Sequence, residues 1–400
     1  MRIGMMAEIY KPHISGVTIH IALNKQYMEK LGHEVFIFTF GHDDYKDNES
    51  NVIRSPGLPL TDTGFYLNIR LKTAVQKLIQ TMDVVHAHHP FLSGRLAVRY
   101  CKPLGIPIVF TNHTRYDLYA QAYLPLIPDV IGETFLQAYL PSFFKSCDLI
   151  IAPSQSIKNI LEKYANGSHI EFVPNGVDIS PFTHFVEPYP RSQLGFSDKD
   201  IILIYVGRLG PEKNIPLLLR AFAGTTKAFD NIGLLILGDG PERENLEDRV
   251  AHMGIADRVK FTGSVPYEEI PQYLVTANAF VTASVTEVHP LTVIEAMASG
   301  LPVLGIQSPG VGDIVENGVN GLLASEEDVA AFTAKMVKMV TDHEMRQKFS
   351  RQAVLTARDY DIQRTSQLLL DQYQQLVSKR SSRKINLRNP LSWLIQKWKK

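Results

Sequence analysis

Short apolar runs alternate with helix-period segments along almost the whole chain, and this alternation restricts the fold more than any other feature. The first run, Met1–Glu8, leads through the loop Tyr10–Gly16 into a helical pattern over Val17–Leu31. Gly32-His33 breaks that pattern before the next run, Glu34–Phe40. Strand, loop, helix and strand in that order are the unit from which parallel sheets are built. Asp83–His88, Ile106–Thr111, Asp148–Ala152 and His169–Val173 extend the series, with helices predicted over Leu92–Cys101 and Ser154–Tyr164. A second series follows the proline- and aromatic-containing stretch Pro181–Pro190, read as a linker. Its strands are Ile201–Val206, Gly233–Gly238, Val259–Phe261, Ala279–Ser284, Pro302–Gly305 and Gly321–Leu323. Helices are predicted between them over Ile215–Phe229, Arg243–Met253 and Ile270–Ala277, and a last one over Glu327–Lys338. Four hundred residues exceed what one core usually supports. The expectation is an α/β protein of two Rossmann-like, doubly wound domains facing a cleft.

The formal net charge of zero conceals an asymmetry. Residues 379–400 hold eight of the 41 basic residues and no acidic one, leaving 33 basic against 41 acidic in the body. A mildly acidic body argues against nucleic acid as a partner and leaves the basic end to be explained. There Asn389-Pro390 reads as a helix start, and Leu391, Leu394, Ile395 and Trp398 share one face. Cations and tryptophan on a short amphipathic helix suit an anionic membrane surface; a solvated tail is the alternative. Asn68–Gln80, with Arg70, Lys72 and Lys77, could form a second basic helix, or an ordinary core-facing one. No apolar run approaches the roughly 18–20 residues a bilayer span requires, and Glu8 and Lys11 interrupt any signal-peptide core. A cytoplasmic location is expected. Cys101 and Cys147 lie among apolar residues without metal or disulfide spacing.

The chemistry concentrates in Thr286–Gly300. Glu287 ends an apolar run, Pro290 permits a helix start, and Glu295 falls about two turns into that helix. The N–H groups of Leu291 and Thr292 would be free in the first turn, a seat for phosphate. Carboxylates on either side of such a seat suggest a nucleotide-sugar site, one acid for sugar hydroxyls and one for ribose. A plain amphipathic helix with a solvated glutamate is the alternative.

Gly207-Arg208-Leu-Gly-Pro-Glu-Lys213-Asn214 places two cations beside a strand end, which suits a diphosphate; a surface pair of Arg208 with Glu212 is the bland reading. The glycines of Leu237–Arg243 serve a tight turn with or without a ligand, and no chemistry is assigned to Asp239. Gly16 either lets a ligand approach the backbone or only makes the turn. His86 and His88 alternate on one strand face beside His89, but no further ligand completes a metal site at motif spacing. His113, at the end of the next strand, could bond a sugar hydroxyl or be a satisfied structural histidine.

Taken together these segments resemble the retaining family 4 glycosyltransferases of the GT-B fold. The likeness is carried by Ser15-Gly16-Val17, Gly32–Val35, Asp83–His88, Pro174–Asp178, Gly207–Leu209 with Glu212–Asn214, Leu237–Pro241 and the Glu287/Glu295 pair. It implies that Arg208 and Lys213 neutralise the donor diphosphate and its leaving-group charge. Glu295 would hold the ribose and Glu287 the donor sugar, with Leu291 and Thr292 backbone near the phosphates. Gly16 would approach the diphosphate and His113 the donor sugar, and no metal or other cofactor is expected beyond the nucleotide-sugar co-substrate. One departure is Pro290, where relatives often carry glycine, beside His289, where an aromatic residue or glutamine is usual. The loop Lys11–Val17 and the segment Thr111–Asp117 look most like bacterial diacylglycerol glucosyltransferases.

The resulting expectation is an N-terminal acceptor domain over 1–182 and a donor domain over 183–357. A helix over 358–378 would cross back to the N-terminal domain, and a membrane-binding tail would occupy 379–400. The enzyme would move a hexose, glucose from UDP-glucose, with retention onto a lipid hydroxyl such as that of diacylglycerol, at the inner face of the cell membrane. The rivals are a mannosyltransferase acting on phosphatidylinositol or a lipid-linked glycan, a transferase with a soluble acceptor, an epimerase on the same fold, and a non-catalytic binding module.

Overall fold

The computed structural model describes residues 1–41, 46–60, 65–67, 71–116, 129–163, 165, 167–325 and 328–388. The chain divides into two compact units, one formed by Met1–Pro174 with the segment from Gln363 on, the other by Asn175–Ile362. The strands of the first are β1 (Arg2–Met6), β2 (Glu34–Phe40), β3 (Val52–Ser55), the short β4 (Leu58–Leu60) and β5 (Phe65–Leu67), β6 (Val84–Ala87), β7 (Ile108–Thr111), β8 (Leu149–Ala152) and β9 (Ile170–Phe172). Seven of them form a sheet in the order β3-β2-β1-β6-β7-β8-β9, while β4 and β5 pair antiparallel on their own. The second unit holds β10 (Ile201–Val206), β11 (Ile232–Leu237), β12 (Val259–Gly263), β13 (Ala279–Val281), β14 (Val303–Ile306) and β15 (Gly321–Ala324), in the order β12-β11-β10-β13-β14-β15.

Every ladder of the two larger sheets is parallel. The sequence dictates this: all six residues of β11 and five of the six in β10 are buried, so both faces need covering and the strands are continuous apolar runs. In each sheet the chain starts in the middle and winds outward in both directions. The strand order therefore reverses between β1 and β6 in one unit and between β10 and β13 in the other. Loops leaving the carboxyl ends of such neighbours splay apart and open a crevice, where open α/β sheets bind their ligands.

Among the elements that went unread in the sequence are the strands β3, β4 and β5 and the helices Asp129–Phe144 and His343–Arg358. The ends of two predicted helices, at Tyr164 and Glu327, lie outside the described residues, as do Arg70, Asp117 and 389–400 with both tryptophans. The second unit begins at Asn175, ahead of the expected linker. Pro181–Pro190 is fastened within that unit: Tyr189 donates its N–H to Gln272 and its ring stacks on Tyr273 at 4.4 Å. Val177 donates to Tyr360 and accepts from Ile362, so the two segments that join the units run paired.

The helix Ile362–Arg388 outlasts the expected crossover. Leu369, Leu370 and Tyr373 are buried in the core of the first unit beside Ile3, Ile21 and Val109. Burying each of those leucines is worth about 1.5–3 kcal/mol, which fixes this helix to the unit. Further along, Arg380 donates to the Leu104 carbonyl at 3.2 Å, so at least one of the eight terminal cations is committed to the protein body.

Candidate active site

In the second unit the loops after β10 and β13 leave from either side of the switch point. The first carries Arg208 and Lys213, the second Glu287. Lys213 Nζ donates to Glu287 Oε1 at 2.6 Å, with about a fifth of each side chain exposed. Ser284 and Thr286 hydroxyls donate to the Glu212 carbonyl, tying the two loops together at the backbone. Gly310, after β14, has φ +82°, and a Cβ there would lie 2.5 Å from the Glu287 carbonyl oxygen. Only glycine lets this loop press on the Glu287 backbone. Gly238 is equally obligatory, because its missing Cβ would fall 1.9 Å from the Gly207 carbonyl oxygen. The turns after β10 and β11 are thus packed backbone on backbone.

Arg208 is well exposed, and its guanidinium donates to Glu212 at 2.9 Å. The pair expected as the bland reading therefore exists, on a cation that still faces solvent. Asp239 caps its own turn at Gly240 and pairs with Arg243.

The helix Leu291–Ala298 begins at Pro290, and no side chain caps it, so the first-turn N–H groups of Leu291 and Thr292 are not claimed by a cap. Glu295 is 2 % exposed, which removes the reading of a solvated surface glutamate. Burial pushes its carboxyl up to about 7, only partly countered by the Tyr267 hydroxyl, which donates to Oε1 at 2.8 Å. Tyr267 was missed in the sequence; its one signal was its place in the loop after β12, beside the other strand-end loops. His289 is buried with its ring edge-on to Tyr360 at 5.0 Å.

In the first unit the switch-point residues are of another kind. Gly16 opens the helix Gly16–Lys30, capped by Ser15 and Thr18. A Cβ at Gly16 would meet nothing within 4 Å, and its φ lies outside the left-handed region. The turn itself does not require glycine here. Glu8, just past β1, accepts from the N–H groups of Leu92 and Ser93 at 2.7 and 3.3 Å. Burial lifts its carboxyl to about 7 in spite of those bonds.

His20, His86, His88 and His113 cluster nearby. His89, beside them, accepts from the Glu8 N–H at 3.2 Å and still acts electrostatically on His88 and His113. His86 is bonded on both sides, to the Tyr373 hydroxyl at 2.5 Å and to Thr111 Oγ1 at 2.7 Å. Burial lowers the pKa of all four rings, with neighbouring histidines adding to the effect at His86, His88 and His113, and keeps them neutral.

His20, His88 and His113 each bring a ring nitrogen within 4.8 Å of the others, a spacing open to a metal ion. The orientation of one pair argues for a different bond. His88 Nδ1 and His113 Nε2 lie 3.0 Å apart between rings inclined by only 22°, with centroids separated by 5.3 Å. The rings meet edge to edge through these nitrogens, as in an N–H···N bond. Ligands of one ion would turn both lone pairs toward a common point about 2.0–2.1 Å from each nitrogen.

One Rossmann-like unit thus carries a neutral, hydrogen-bonding histidine cluster, and the other carries paired charges at its switch point. The chain belongs to family 4 of the glycosyltransferases and has the GT-B fold. The family described as "Glycosyltransferase Family 4" matches residues 14–181, and "Glycosyl transferases group 1" matches residues 188–355. Among its relatives, the alpha-monoglucosyldiacylglycerol synthase of Streptococcus pneumoniae is 31% identical over 82% of this chain and 77% of that protein. The enzyme of the same name from Acholeplasma laidlawii is 30% identical over 82% of this chain and 86% of its own. The fold is shared with the sucrose-phosphate synthase of Thermosynechococcus elongatus, with a TM-score of 0.77 and 19% identity over 94% of this chain and 99% of that one. Among the described residues, no helix is long and apolar enough to cross a membrane.

Proposed function

We propose that this glycosyltransferase moves glucose from UDP-glucose, with retention, onto the free hydroxyl of a membrane lipid such as diacylglycerol. The observation that carries the donor side is the meeting of Lys213 and Glu287 from loops on neighbouring strands at the switch point. In this reading Lys213 and Arg208 receive the diphosphate, and the charge that develops on departing UDP is stabilised where they stand. The first-turn N–H groups of Leu291 and Thr292 add fixed dipoles. Glu287 accepts from sugar hydroxyls, Glu295 from the ribose, Gly16 admits the diphosphate to the backbone, and His113 meets the donor sugar. The bond from the anomeric carbon to the phosphate oxygen breaks as a bond to the lipid oxygen forms on the same face, and the hydroxyl proton passes to the departing phosphate oxygen of UDP. The cations supply the charge compensation, and no metal or cofactor is called for in this scheme.

The acceptor rests on the two relatives named for diacylglycerol glucosylation. The basic end of the chain supports a peripheral location on an anionic cytoplasmic leaflet. The test is transfer of label from UDP-glucose, with GDP-mannose and UDP-galactose in parallel, into vesicles containing diacylglycerol with and without anionic lipid. Labelled glycolipid that depends on UDP-glucose and diacylglycerol is expected, with stimulation by anionic lipid. Label entering only water-soluble product would overturn the lipid acceptor.

A further inference from the structure

Among the described residues His113 has a single hydrogen-bond partner, and that partner decides what it can offer a substrate. Its Nε2 is bonded to His88 Nδ1, while its Nδ1 has no partner among the described residues and is not one of the enclosed, unpartnered atoms. His88 is fully buried, and its second nitrogen, Nε2, is enclosed without a partner.

A neutral imidazole carries one proton, so two arrangements of the pair exist. If His113 donated, His88 would carry its proton on Nε2 and bury an N–H that nothing accepts. If His88 donates from Nδ1, its Nε2 keeps only a bare lone pair. A buried orphan N–H is the rarer and costlier defect, so the second arrangement prevails. His113 then accepts at Nε2 and must hold its own proton on Nδ1.

We propose that His88 is a positioning residue that fixes His113 as the Nδ1–H tautomer, so that His113 presents one hydrogen-bond donor to a sugar hydroxyl. The tautomer follows from the geometry of the pair alone; its use on a sugar rests on the function proposed above. Burial keeps both rings neutral and prevents protonation from erasing the distinction. His86 cannot take over this task, because Tyr373 and Thr111 already occupy its two nitrogens.

The pair is tested by nitrogen-15 NMR of the full chain labelled at histidine, with His113→Asn used to assign the signal. A protonated Nδ1 and bare Nε2 on His113 are expected; a protonated Nε2 would overturn the proposal without any variant. Three substitutions of His88 then separate position from packing. His88→Asn retains an N–H donor near the place of Nδ1, His88→Asp offers only an acceptor there, and His88→Ala offers neither. His88→Asp is expected to move the His113 proton to Nε2. With His88→Asp and His88→Ala, kcat should fall on the order of tenfold with little change in donor KM, the size of one lost hydrogen bond. His88→Asn should recover most of the rate. If the wild-type tautomer is as stated but kcat is indifferent to all three, the sugar contact is wrong and the positioning role falls, while the tautomer stands. If no glycosyl donor is turned over by the wild type, the proposed function fails while the spectrum still decides the tautomer.

Discussion

The two units repeat one architecture and furnish its switch point in opposite ways. Each winds a parallel sheet outward from a central strand, and each encloses a carboxyl group raised to about 7 by burial, Glu8 just past β1 and Glu295 in the helix Leu291–Ala298. Beyond that they diverge. The first unit gathers imidazoles that burial keeps neutral and that bond to one another, to Tyr373 and to Thr111. The second gathers full charges held as pairs, Lys213 with Glu287 and Arg208 with Glu212. Neutral donors can select a hydroxyl without the strong desolvation that charge demands. Paired charges are already partly compensated and exchange a carboxylate for a phosphate when one arrives. The same scaffold thus carries neutral hydrogen-bonding groups in one unit and paired charges in the other.

The largest effect should come from the charged side. Lys213→Ala removes a cation from the proposed leaving-group site and leaves Glu287 facing an unfilled gap. A loss of roughly 10²–10³-fold in kcat is expected, comparable to deleting a donor that stabilises transition-state charge. Steady-state transfer rates check this, and a change below threefold would assign the diphosphate elsewhere.

The shared carboxyls set a common pH response. Below about pH 4.5, Glu295 is protonated whether the chain is folded or not. Between 4.5 and about 7 the unfolded chain releases the proton while the folded one retains it, so stability falls as pH rises; above 7 the loss is complete. The full loss is on the order of 3 kcal/mol. Glu295→Gln, which can still accept from Tyr267, should flatten the fall in melting temperature across this window. Glu8→Gln should do so independently in the other unit. A melting temperature equally steep in pH for both variants would show that neither carboxyl is held protonated.

The neutral side should yield a smaller effect, and a local one. Tyr373→Phe strips His86 Nδ1 of its partner in a fully enclosed place. The expected cost is about 1–3 kcal/mol. Faster hydrogen exchange around residues 84–88 and 366–376, with exchange in 201–206 unchanged, would confine the cost to the first unit.

What the sequence disclosed and what it withheld follow from range. Strands such as β10 and β11 are buried on both faces, so their apolar runs are visible without knowledge of neighbours. Pro290 and Gly300 likewise mark a helix by local chemistry alone. The edge strand β3 went unseen because only Ser55 of its four residues is buried and Arg54 is drawn to Asp47. The pairings of the candidate site lie beyond any local pattern. Lys213 and Glu287 are 74 residues apart and meet only because β13 joins the sheet beside β10. His113 finds His88 through the β6–β7 neighbourhood, and His20 joins them from a helix whose pattern marked it as nothing special. Tyr267 was a loop tyrosine until the fold set it against Glu295.

The finest distinction concerns Glu212. It is the carboxylate that Arg208 must leave or share if a diphosphate is to be bound. Exposed ion pairs of this kind contribute about 0.2–1 kcal/mol, and salt screens them further. Glu212→Gln removes the competing charge but keeps an oxygen that the guanidinium can touch, so Arg208 loses attraction and not its place. UDP should then bind roughly two- to fivefold more tightly at low salt, with the gain shrinking as salt is added. Isothermal titration with UDP measures it directly. Weaker binding would mean that Glu212 serves to aim Arg208, and that the charge of this unit is preorganised by its pairs and not merely stored in them.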